Sequence, residues 1–119
     1  MKYILLLLTL SFFLFGAGAN AQELRDVQIE VSVTDGNPEA GPAAYTLTQG
    51  DQVTLRVATD RPLVAHLHGY DLELAAAPGD DGVLVFAAEL AGRFPLTLHG
   101  YDGDHGSESA LLYLDVYPR

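Results

Sequence analysis

Asp26-Val27-Gln28-Ile29-Glu30-Val31-Ser32-Val33-Thr34 alternates without a break. Val27, Ile29, Val31 and Val33 take one side, and Gln28, Glu30 and Ser32 take the other. A period of two is the mark of a strand with one face buried. The same pattern returns downstream. Gln52 to Thr59 places Val53, Leu55 and Val57 inward, Arg93 to His99 places Phe94, Leu96 and Leu98, and Ala110 to Tyr117 places Leu112, Leu114 and Val116. Shorter strands are predicted at Tyr45–Thr48, Leu63–His68 and Val83–Ala88, with an extended segment at Asp71–Ala77 carrying Leu72 and Leu74. Turn signals separate them: a loop over Asp35–Pro42 with two glycines and two prolines, then Gln49-Gly50-Asp51, Asp60-Arg61-Pro62, Pro78–Gly82, Glu89–Gly92 and a polar loop over Gly100–Ser109. No stretch has a helical period. About seven or eight short strands with turns between them predict an all-β sandwich.

The first 21 residues read differently. Lys2 gives a positive start, Ile4 to Phe15 is an apolar run too short to cross a bilayer comfortably, and Ala19-Asn20-Ala21 is a small-x-small cleavage signal before Gln22. We expect residues 1–21 to be a signal peptide and 22–119 a single periplasmic or secreted domain; an uncleaved membrane anchor is the alternative. The chain has no cysteine, so neither a lipid anchor on cysteine nor a disulfide is available. The mature part carries five arginines, no lysine and 16 acidic residues, a formal charge of −11. That balance argues against nucleic acid and anionic lipid as partners. It suits attraction of cations, and it equally suits simple solubility.

One pentapeptide occurs twice: Leu67-His68-Gly69-Tyr70-Asp71 and Leu98-His99-Gly100-Tyr101-Asp102. The four histidines, His66, His68, His99 and His105, all lie in or beside these copies. Imidazole is the commonest metal-ligating side chain near neutral pH, so the clustering points to a metal site. The competing reading is a turn motif used twice, with glycine for an unusual φ and aspartate bonding backbone amides. Strand alternation puts His66 and His68 on one face. His99 follows core-facing Leu98 and therefore points away from the core. Three nitrogens from two strands suit copper or zinc and leave an open position. His105, in an acidic loop, is a candidate fourth ligand or a surface histidine. Asp71 and Asp102 are placed to accept hydrogen bonds from imidazoles or to make Asx-type turns. Tyr70 and Tyr101 read as half-buried packed rings.

At these residues the chain resembles a cupredoxin-like domain. The resemblance runs over most of residues 24–117 and rests on Gln49-Gly50-Asp51-Gln52-Val53-Thr54-Leu55, on Ala65-His66-Leu67-His68-Gly69, and on Ala91 to His99. His66-Leu67-His68-Gly69 is similar to the HxHG motif of multicopper oxidases. Ala91 to His99 is similar to a copper-ligating segment of those enzymes and of small blue copper proteins. The resemblance implies a Greek-key sandwich, and it implies that His66, His68 and His99 match histidines that bind copper at a domain interface. It also marks departures. Leu98 stands at the blue-copper cysteine position, Leu63 stands at an upstream histidine position, and the only methionine is Met1. A blue copper site needs the thiolate, so this chain cannot build one.

The expected function is therefore binding of copper(II), with zinc or another divalent metal as the variant, by His66, His68, His99 and His105. The alternative is a metal-free sandwich that packs on a partner protein or on a second copy of itself. Ser107 and Ser109 lie near His105, but no nucleophile elbow or triad is visible, so no enzyme is expected.

Overall fold

The alternating stretches become strands close to the lengths their patterns predict. The computed structural model describes Gly18 and residues 23–99 and 109–119. Among these residues the strands are β1 (Asp26–Thr34), β2 (Asn37–Pro38), β3 (Ala43–Thr48), β4 (Gln52–Thr59), β5 (Leu63–Leu67), β6 (Leu72–Ala76), β7 (Gly82–Ala87), β8 (Gly92–Leu98) and β9 (Ser109–Tyr117). They form two sheets, a four-stranded one in the order β2-β1-β4-β7 and a five-stranded one in the order β3-β9-β8-β5-β6. The chain changes sheet at every connection from β2 to β5 and again on either side of β7, so strands close in sequence face one another across the core. β1 pairs with β4 and β3 with β9 in parallel, while the remaining ladders are antiparallel.

Burial follows from register. Ile29 lies beside Leu55 and Val31 beside Val57 on the inner face of one sheet. Leu67, Leu96 and Leu112 lie in one row on the inner face of the other. All seven are buried, and their close packing is the main apolar contribution to stability.

Two local features differ from the sequence expectation. The stretch expected as a plain loop over Asp35–Pro42 begins with a hairpin, Val33 opposite Pro38 and Thr34 opposite Asn37. Its two central residues, Asp35 and Gly36, have φ of 51° and 77°. A two-residue Asp-Gly loop with both φ values positive matches the right-handed twist of the flanking strands. It adds the two-residue β2 and brings the count to nine strands among the described residues. The second feature is a bulge: Leu96 pairs with Leu112, but Thr97 pairs with Ala110. Leu111 is the extra residue, and it is buried alongside Leu112, which simple alternation does not predict.

The β3–β4 turn carries the one charged side chain fully withdrawn from solvent among the described residues. Asp51 Oδ2 accepts from Thr48 N at 2.8 Å and from Arg25 Nη2 at 2.6 Å, and Arg119 stands 4.0 Å from Oδ1. Burial pushes this carboxyl up, but the Arg25 and Thr48 hydrogen bonds and the charges of Arg25 and Arg119 outweigh it and hold the group below its ordinary value. The turn thus ties the segment before β1 and the segment after β9 to one carboxylate.

Candidate metal centre

His66, His68 and His99 sit on the outer face of the five-stranded sheet because β5 and β8 are antiparallel with His66 opposite Thr97. Inward positions on these strands are filled by Ala65, Leu67, Leu96 and Leu98, all buried. The outward positions are then Val64, His66 and His68 on one strand and Pro95, Thr97 and His99 on the other. Two backbone bonds extend the pairing past the strand ends: His68 N donates to Pro95 O at 3.1 Å, and His99 N donates to Val64 O at 3.0 Å. His66 therefore has His68 two residues ahead on its own strand and His99 diagonally across, both within side-chain reach on a pleated surface.

The rings come together accordingly. The His66 and His68 centroids lie 4.6 Å apart with planes at 87°, and the His66 and His99 centroids lie 5.5 Å apart with planes at 66°. His66 and His68 are half-buried, and His99 is exposed. His66 Nε2 bonds Asp71 Oδ1 at 3.0 Å, and His68 Nε2 bonds Thr97 Oγ1 at 2.9 Å. His66 Nδ1 is buried and has no hydrogen-bond partner. His105, Tyr101 and Asp102 lie outside the described residues, as do residues 1–17 and 19–22 of the expected leader.

The turn after His68 is built as a clamp. Gly69 has a φ of 85°, and its missing side chain leaves room for the Phe94 ring. Tyr70 packs edge-on to Phe94 at 4.9 Å and tilted against Phe86 at 5.2 Å. Its hydroxyl donates to Leu90 O at 2.8 Å and accepts from Leu90 N at 3.1 Å, which joins the pentapeptide to the β7–β8 turn. Burial pushes the Tyr70 phenol up, against the lowering effect of the Leu90 backbone, and nearby Glu89 adds to the rise. Tyr70 is thus the packed ring its sequence setting suggests.

Two residues of the site escape inspection of the histidines alone. Thr97 holds His68 and is itself buried. Glu73 is the cross-strand partner of His66 on β6 and is exposed. Thr97 has a detectable signal, since it lies between inward Leu96 and Leu98 and must share the histidine face. Glu73 is set beside His66 by strand pairing, which no local pattern specifies.

The donor set is all nitrogen and oxygen. Among the described residues no group of three or more His, Asp or Glu side chains is arranged to hold a metal ion as it stands. The buried lone atom His66 Nδ1, beside two further imidazoles, is nonetheless a feature that a nitrogen-preferring ion fits.

The two-sheet all-β fold is that of a cupredoxin-like β-sandwich. No protein-family model matches the chain, and no curated protein sequence matches it. Solved structures do. A heme-copper terminal oxidase dimer aligns with a TM-score of 0.62 at 17% identity, over 78% of this chain and 65% of that one. A blue copper oxidase from Nitrosomonas europaea aligns with a TM-score of 0.63 at 21% identity, over 80% of this chain and 40% of that one. A copper binding protein solved in solution in the apo form aligns with a TM-score of 0.58 at 17% identity, over 81% of this chain and 92% of that one. The chain thus spans less than two thirds of the two oxidase chains and nearly all of the small copper binding protein.

Proposed function

We propose that this domain binds copper(II) through His66, His68 and His99 and acts in copper binding or handling, without blue-copper electron transfer. The observation that carries the reading is the convergence of three imidazoles from two strands on one sheet face, with centroids 4.6 and 5.5 Å from His66. The likeness to a small copper binding protein of matching length supports it. The exposed His99 ring is free of the core and turns toward the pair on β5 when an ion arrives. His105 or water completes the shell. Copper(II) bound there is a nitrogen-ligated ion; zinc fits the same donors. The absence of cysteine argues against a tight copper(I) carrier.

Titration of the protein with copper(II), followed by electron spin resonance, tests the proposal. We expect a stoichiometric nitrogen-ligated signal that disappears when His66→Ala and His68→Ala are combined. A signal unchanged by that double substitution rules the site out.

A second reading rests on the fact that no preset three-donor group exists among the described residues. In it the sandwich is a metal-free module that packs on a partner protein or on a second copy. A melting temperature indifferent to copper(II) favours this reading, because an ion that binds only the folded state must raise it.

Export to the periplasm or medium, with removal of residues 1–21, belongs to the same proposal. Mature protein recovered with an N-terminus other than Gln22 refutes the cleavage site.

A further inference from the structure

We infer that His66 presents Nδ1, not Nε2, to the ion, and that Asp71 is the positioning residue that makes this choice. The inference rests on the copper-site reading above and adds the donor atom to it.

The first step is hydrogen-bond logic. His66 Nε2 lies 3.0 Å from Asp71 Oδ1. An ionised carboxylate only accepts hydrogen bonds, so Nε2 must carry the proton. In the neutral ring, Nδ1 then holds the bare lone pair, which is the form a metal ion requires. The second step is burial. That same Nδ1 is the ring atom with no partner, shut away from solvent. A buried acceptor without a donor is costly, and such atoms are rare enough in folded proteins that each calls for a reason. A cation at Nδ1 supplies one, and the two rings that share it stand within 5.5 Å of His66.

The third step concerns the backbone of Asp71. Its φ is 54°, in the left-handed region that side chains seldom occupy. Two residues earlier, where the same turn needs a positive φ and room for the Phe94 ring, the chain uses Gly69. Asparagine or glycine satisfies that backbone equally well. What aspartate alone adds is an acceptor that never donates, and this is the property that selects one imidazole tautomer. A carboxylate behind a ligating imidazole also raises its basicity toward the ion. Asp71 is largely exposed, so it biases the tautomer population and does not lock it.

Long-range proton–nitrogen correlation spectra of the 15N-labelled protein read this directly. Without metal, we expect His66 to show a protonated Nε2 and a bare, pyridine-like Nδ1. On addition of zinc(II), used as the diamagnetic probe, the Nδ1 resonance of His66 should move while Nε2 keeps its proton. A response at Nε2 with Nδ1 unmoved overturns the inference and leaves the metal site standing. No response at any imidazole overturns both. In Asp71→Asn, which keeps a residue tolerant of positive φ, the opposite tautomer of His66 should appear and zinc(II) affinity should fall about tenfold or more. A wild-type tautomer and affinity in a folded Asp71→Asn variant overturn the role given to Asp71.

Discussion

Gly69→Ala should be among the most damaging single-methyl additions to this domain, and the structure says why. A Cβ placed on Gly69 would stand 2.3 Å from Cδ1 and 2.5 Å from Cε1 of Phe94. Real contacts do not approach that closely, so the ring must move. It has little room, because Tyr70 packs against it and Tyr70 is tied at both ends of its hydroxyl to Leu90. The substitution also puts alanine at a φ of 85°. The left-handed backbone costs alanine about 1 kcal/mol, and overpacking typically adds about 1–3 kcal/mol. The sum is about 2–4 kcal/mol, or a fall in melting temperature of roughly 10–30 °C for a domain of this size. Gly79→Ala is the control. Gly79 has a φ of 74°, but its Cβ would meet nothing within 4 Å. It should lose only the conformational part, about 1 kcal/mol or roughly 5 °C. Thermal unfolding followed by circular dichroism compares the two, and Phe94→Leu in the Gly69→Ala background should recover part of the loss through the coupling of adjacent sites. Equal melting temperatures for Gly69→Ala and Gly79→Ala would refute the clamp.

Two further outcomes follow from the same contacts. Asp51→Asn removes the ionised acceptor shared by Arg25 and Thr48 N and should cost about 1–3 kcal/mol in thermal unfolding. Because the folded-state carboxyl lies below its unfolded value, its stabilisation is complete above the ordinary carboxylate range and is lost as pH falls through the lower folded value. The wild type should therefore lose melting temperature more steeply below about pH 4 than Asp51→Asn does; parallel curves contradict the assignment. Tyr70→Phe leaves Leu90 N and O without their shared partner, so chemical denaturation should show a loss of about 1–2 kcal/mol, with the slope against denaturant unchanged.

The periodicities carried most of the fold. Val53, Leu55 and Val57, read inward from alternation, are fully buried, and so are Leu112 and Leu114. The hairpin at Asp35-Gly36 was legible in principle, since Asp-Gly between alternating strands is a strong turn signal, but the prolines and second glycine that follow give the stretch the look of a loop. The bulge beside Thr97 was not legible: the adjacent pair Leu111-Leu112 breaks the alternation of β9, but only the pairing with β8 shows that Leu111 is the extra residue and is buried.

For the candidate site, the two kinds of information divide cleanly. Which face each histidine takes is a local matter: in a strand the backbone turns successive side chains to opposite sides, so His66 and His68 had to agree with each other and His99 had to oppose Leu98. Whether they meet is not local. It depends on β5 and β8 being neighbours and on the register that sets His66 opposite Thr97, and that register is chosen by leucines packing on the far side of the sheet. The bonds to Asp71 and Thr97, and the solitary nitrogen they leave behind, exist only once that packing is complete.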